Sequence, residues 1–300
     1  MRIVEGAYPQ PTEMRTFENQ SQSVAHDEAR EDGCVSTEGT IPVEAPGGYA
    51  LQVRGLHKAY GGKVAVAALD LDIPASSFFG LVGPNGAGKT TTLKMCTGLL
   101  RPDAGAVWVD GTEVWHNLVR AKTVIGVLPE DLLLFERLTG RELLTFNGLL
   151  RGLPADTVAD RSKELLEIFG LTDAAATMVI DYSHGMKKKI GLACALIHGP
   201  RVLFLDEPFE AVDPVSARSI RTVLERHIES GATVVFSSHV MELVERLCDR
   251  VAIMHEGHLV AEGPTDEVRA GTSLEDAFVR LVGGDRTSGS DFGWLGTSSG

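Results

Sequence analysis

A chain of 300 residues, 43% of them hydrophobic, is long enough for one large α/β domain or two small ones, with a core that needs no covalent staples. Its formal net charge of −13 argues against general affinity for a phosphate backbone, which needs surplus Lys and Arg to displace counterions, so no nucleic acid partner is expected. Cys34, Cys96, Cys194 and Cys248 stand far apart with no C-x-x-C pair, which points to neither a zinc cluster nor a disulfide framework and fits a reducing cytoplasm.

Residues 1–48 mix acidic, Ser, Thr, Pro and Gly residues with few apolar ones. Such a stretch cannot bury enough surface to offset chain entropy, and it predicts a disordered acidic tail. The tail carries roughly half of the net negative charge, which leaves the remainder closer to neutral. No apolar run approaches the ~20 residues of a membrane-spanning helix, and the N-terminus lacks the basic-then-apolar order of a secretion signal. The chain therefore reads as soluble, or as docked on something that is not.

From 49 to 284, short apolar runs alternate with segments of helical period. "FFGLVG" (78–83) is the first clear strand, and "GPNGAGKTTTL" (83–93) follows it directly. This run matches G-x-x-x-x-G-K-[ST] between a strand and a helix, the context a phosphate loop requires. Gly83, Gly86 and Gly88 let backbone N–H groups turn toward a polyphosphate, with Pro84, Asn85, Ala87 and Thr91 completing the loop. Lys89 reaches the terminal phosphates and Thr90 offers a hydroxyl to Mg²⁺. "RSKELLEIFG" (161–170) reads as a helix stopped by Gly170.

"DYSHGMKKKIGLACAL" (181–196) is ambiguous on its own: a basic patch, a histidine metal ligand or an altered nucleotide motif. Three lysines without interleaved aromatics suit a solvated or phosphate-facing surface, and His184 lacks ligand-spaced partners beyond Asp181. "VLFLD" (202–206) is a second buried strand. Asp206 at its end would hold Mg²⁺ through water, and Glu207 would polarise an attacking water. "SARSIRTVLERHIES" (216–230) reads as a helix, and "TVVFSS" (233–238) as a strand delivering His239 to the same sheet edge, where open α/β sheets bind ligands. "VAIMH" (251–255) is another strand. The alternation implies a mainly parallel sheet covered by helices, and 285–300 reads as a flexible C-terminal tail.

Over about Leu51 to Gly283 these segments resemble, in order and wording, the nucleotide-binding subunit of an ABC transporter. The resemblance implies an α/β P-loop NTPase with a RecA-like core, an antiparallel β subdomain and a helical subdomain over about 131–190. It implies ATP and Mg²⁺ as cofactors, with Thr90, Asp206 and Glu130 around the metal. "KAYGGKVAV" would place Tyr60 on adenine, and Glu130 stands where the family usually has Gln. Glu207 takes the catalytic carboxylate position, Asp213 ends the D-loop, and His239 is the switch histidine facing the γ-phosphate. Tyr182 to Met186 occupy the family's L-S-G-G-Q signature: Ser183 and Gly185 match, while His184 and Met186 depart. Because the signature completes the site of a second subunit, the resemblance implies a homodimer or heterodimer of ATPase domains. It also implies polytopic membrane permease subunits docking near Glu130 and 131–154, and a peripheral place on the cytoplasmic face of the membrane. The histidine-containing signature and "SLEDAFVRLVGG" (273–284) resemble ABC-2 or multidrug exporter subunits. The alternatives are an ABC ATPase acting on DNA or ribosomes, which usually shows paired domains, a long coiled coil or zinc cysteines, and a P-loop GTPase or kinase, which should show a base motif or lid.

Overall fold

The computed structural model describes residues 1–3 and 48–283. The predicted acidic tail thus falls outside the described residues except at its start, and 285–300 falls outside them entirely. At that start, Met1–Ile3 is described and ends in a strand, β1 (Arg2–Ile3).

Strands β2 (Tyr49–Tyr60) and β3 (Lys63–Pro74) form a hairpin across a two-residue Gly61–Gly62 turn. There follow β4 (Phe78–Val82), α1 (Lys89–Cys96), β5 (Ala104–Val109), β6 (Thr112–Glu113), α2 (Leu118–Val124) and β7 (Ile125–Leu128). Helices α3 (Gly140–Leu150), α4 (Ala155–Ile168) and α5 (His184–Leu196) come next. The chain then alternates β8 (Val202–Asp206), α6 (Pro214–Glu229), β9 (Thr233–Ser238), α7 (Met241–Leu247) and β10 (Arg250–His255), and closes with β11 (His258–Pro264), α8 (Thr265–Arg269) and α9 (Leu274–Val282).

One sheet runs β1-β11-β10-β4-β9-β8-β7, parallel from β10 to β7, with β11 and β1 antiparallel at its edge. The other is antiparallel, β3-β2-β5-β6. Strands β4, β8 and β9 are buried at every residue, so they read as unbroken apolar runs rather than alternating ones. The two-residue side-chain period divides each run between two cores. Phe79, Leu81, Phe204 and Val235 face the antiparallel sheet and α1, while Phe78, Val82, Leu205 and Phe236 join the core under the helices. Pinned from both sides, the parallel strands end in register, so the residues after Val82, Leu128, Asp206 and Ser238 share one edge.

At the junction of α5 with β7, His198 Nε2 lies 3.0 Å from the Ile125 carbonyl, and Arg161 donates to the Ile197 carbonyl at 2.8 Å. Burial pushes the His198 imidazole down to about 4, with the Arg151 and Arg161 cations and the neighbouring His227 adding to the fall and the Ile125 carbonyl opposing it. A base held below its unfolded pKa of about 6.5 stabilises the fold fully above pH 6.5, and that stability is lost as pH falls toward 4. Chemical denaturation from pH 7.5 to 4 should therefore show wild type losing about 2–3 kcal/mol more than His198→Gln over that window. Parallel curves for the two proteins would rule out a buried neutral His198.

Candidate nucleotide site

The phosphate loop leaves β4 at Gly83 and enters α1 at Lys89. Gly83 and Gly88 have φ of 157° and 104°, and a Cβ at either would stand 2.2 Å from the Met254 carbonyl or 2.4 Å from that of Ala65. Only glycine satisfies both the conformation and the close approach. The first N–H groups of α1 are left without helical partners and face the loop's concavity, a natural seat for an anion.

Lys89 is 6% exposed, and its Nζ donates to the Gly83 carbonyl at 2.8 Å and the Pro84 carbonyl at 3.3 Å. It also stands 3.7 Å from Glu207 Oε1. Burial lowers the Lys89 pKa, while Glu207, Asp206 and Glu130 oppose the shift. Thr90 Oγ1 donates to Asp206 Oδ1 at 3.2 Å, and Ser237 donates to the same oxygen. The Ser237 hydroxyl in turn accepts from the Glu207 N–H at 3.1 Å.

Glu207 has φ of 47°, a left-handed conformation unfavourable for a side chain larger than glycine. Its Oε1 lies 3.1 Å from His239 Nδ1, and its carbonyl accepts from Lys188 Nζ at 3.1 Å. Tyr60, the run Asn85–Thr91, Glu130 and Glu207 line one cavity of about 440 Å³. Tyr60, at the end of β2, is 50% exposed and presents its ring near Lys58 Nζ, 5.7 Å from the centroid. Glu130 follows β7; its pKa is raised by burial and then by the carboxylates of Asp206, Glu210, Asp131 and Glu207. Thr90, Asp206 and Glu130 together supply the hard oxygen donors that suit Mg²⁺.

Ser183, Gly185 and Asp213 do not line this cavity. Ser183 is the N-cap of α5, accepting from the Met186 N–H at 3.2 Å, and its residue is exposed. Asp213 caps α6, accepting from the Val215 and Ser216 N–H groups at 3.0 and 2.9 Å. A Cβ on Gly185 would meet Asp213 Oδ2 at 2.9 Å, so the two segments touch within one chain. His184 is exposed, and Met186 packs against the helical core.

The three lysines are not one surface. Lys187 pairs with Glu136 at 2.6 Å, whereas Lys188 is 2% exposed and reaches inward to Glu207. This corrects the reading of the run as a solvated face. Gly185, Lys188, Leu192 and Ala195 recur at helical spacing and all are buried, so the phase of α5 carried the signal. Ser237 is the second residue sequence reasoning missed; a hydroxyl inside the apolar run "TVVFSS" was its trace.

A family model described as ABC transporter matches residues 66–210. The linearmycin resistance ATP-binding protein of Bacillus subtilis (strain 168) is 39% identical over 213 residues, 71% of this chain and 68% of that protein. The daunorubicin/doxorubicin resistance ATP-binding protein of Streptomyces peucetius is 36% identical over 77% of this chain and 70% of its own length. A solved ATP-binding subunit of an ABC transporter superposes with a TM-score of 0.73 at 29% identity, covering 77% of this chain and 99% of that one. Sequence, fold and loop geometry converge: this chain belongs to the ABC transporter family, as an ATP-binding subunit with ATPase activity.

Proposed function

We propose that this subunit hydrolyses ATP with Glu207 as the residue that polarises water, and that it powers export through separate polytopic membrane subunits. The observation that carries the chemistry is the placement of Glu207 in the phosphate-loop cavity, 3.7 Å from Lys89 and 3.1 Å from His239. Adenine stacks on Tyr60, and the polyphosphate takes the N–H groups of the loop and of α1. Lys89 exchanges the Gly83 and Pro84 carbonyls for terminal phosphate oxygens. Glu207 draws a proton from water for in-line attack, while His239 and Lys89 face the developing charge. Thr90 and Asp206, with Glu130 beside them, would hold Mg²⁺, which when bound neutralises phosphate oxygens.

A second ATPase domain, identical or not, completes the site with its own signature serine and glycine, and Ser183 and Gly185 of this chain do the same for the partner's site. Support comes from the exposed N-terminus of α5 and from apolar Val215 and Val240, 75% and 44% exposed, next to Asp213 and His239. The membrane subunit docks beside Glu130. Leu133 and Phe135 are 93% and 60% exposed there, and a cavity of about 400 Å³ runs between this loop, β7 and α3, a fit for an amphipathic helix. Among the described residues no helix is long and apolar enough to cross a membrane. In this reading transport runs through that partner, with this subunit on the cytoplasmic face. The resistance functions named for the relatives support export over action on DNA or ribosomes.

Affinity capture of the tagged chain from detergent-solubilised membranes should bring down a polytopic protein in fixed ratio. Recovery with ribosomes or DNA instead would overturn the transport reading.

A further inference from the structure

Lys188 takes no part in the reading above, yet among the described residues it is the least exposed lysine or arginine. It is 2% exposed, and its Nζ donates to the carbonyl of Glu207, the residue that follows β8, at 3.1 Å. An ammonium buried this deeply persists only with partners. The charges around it are the carboxylates of Glu210, Glu130, Asp206 and Glu207, which raise its pKa against the larger lowering by burial. Glu207 itself is held in a left-handed conformation that its side chain does not favour. Two hydrogen bonds fix the peptide groups on either side: Ser237 Oγ receives the Glu207 N–H at 3.1 Å, and Lys188 holds the carbonyl. Rotation about either bond would swing the carboxylate away from His239 Nδ1, 3.1 Å from it, and from Lys89.

We propose that Lys188 is a positioning residue, aiming the Glu207 carboxylate by holding its carbonyl from the signature helix of the same subunit. This rests on the assignment of Glu207 as the residue that polarises water. The arrangement has a second consequence. Lys188 lies five residues beyond Ser183 on one helix, roughly 7–8 Å along the axis. A force on the exposed N-terminus of α5, as when a second domain closes on it, is therefore delivered to the catalytic peptide of its own subunit. Closure and carboxylate aim are linked through α5.

The test uses the full chain and counts turnover per ATP-binding site, so partial unfolding does not register as lost catalysis. Lys188→Met should lower kcat at least 10-fold while KM and equilibrium ATP affinity stay within about two-fold. Lys188→Gln, which keeps an N–H donor one bond shorter, should recover at least three-fold of that loss. If the Met variant does not fold, Lys188→Gln carries the test alone, with kcat reduced and KM kept. In single-turnover assays on the Glu207→Gln background, adding Lys188→Met should change the residual rate by less than two-fold, because there is no longer a carboxylate to aim. An unchanged kcat overturns the proposal. So does a parallel loss of kcat and affinity, or an equal fall in both backgrounds. A Glu207→Gln protein that keeps wild-type turnover would instead defeat the assignment of Glu207, and the proposal with it.

Discussion

Glu207→Gln should cut ATP turnover by at least two to three orders of magnitude while leaving ATP affinity within a few-fold of wild type. The substitution keeps the shape of the side chain and a hydrogen-bonding oxygen for His239 Nδ1, 3.1 Å away. It removes the basic group that polarises water. General base catalysis of this kind contributes about 10²–10⁴-fold, and little else near the loop changes, since Lys89 retains the Gly83 and Pro84 carbonyls. One secondary effect favours binding: Lys89 is relieved of a carboxylate 3.7 Å away, which leaves its charge available to phosphate. Turnover measured by phosphate release, alongside equilibrium binding of a fluorescent ATP analogue, separates the two quantities. Retained turnover would remove Glu207 from the chemistry; turnover and affinity lost together would make it a binding residue.

How much of this was legible depended on how deeply each element is buried. β4, β8 and β9 are covered on both faces, so their residues form continuous apolar runs that stand out without any partner in view. The antiparallel sheet is wetter. β3 alternates Leu69, Leu71 and Ile73 with Asp70 and Asp72, a period-two signal blurred by the alanines before it, and only the family resemblance implied that sheet. β1 was invisible because two residues carry no periodicity, and its pairing of Arg2 with Glu262 spans almost the whole chain. At the site, the phosphate loop announced itself through glycines that its geometry demands. Lys188 hid in plain view. Three adjacent lysines look like one solvated patch until the helix phase turns one of them inward, and composition is blind to phase. The left-handed peptide at Glu207 leaves no mark at all, because its hydrogen bonds to Ser237 and Lys188 come from residues distant in sequence.

Lys89→Met should lower ATP affinity at least 100-fold, a loss of about 2.7 kcal/mol, and should also make the fold sensitive to neutral pH. The first effect follows from removing a charge-assisted donor that is already desolvated and aimed into the cavity, where screening by water is weakest. The second follows from what remains. Lys89 at 6% exposure stands against Glu207 and Asp206, themselves 7% and 4% exposed, with Glu130 nearby. Methionine fills the same volume but offsets no charge, so the acidic group loses its counter-charge, and the Glu130 pKa, already raised by burial and by the carboxylates of Asp206, Glu210, Asp131 and Glu207, is pushed up further. An acid whose folded pKa is raised stabilises the fold below its unfolded pKa and loses that stability as pH rises through the folded value. The variant should therefore be less stable than wild type at pH 7.5, by at most ~3–5 kcal/mol, with the gap closing as pH falls toward 5. Denaturation midpoints at the two pH values, with binding isotherms at pH 7.5, test both parts. A stability gap that is independent of pH would mean that Lys89 is not the counter-charge of this acidic group. An affinity within ten-fold of wild type would mean that the loop and the helix terminus, rather than the lysine, hold the phosphates.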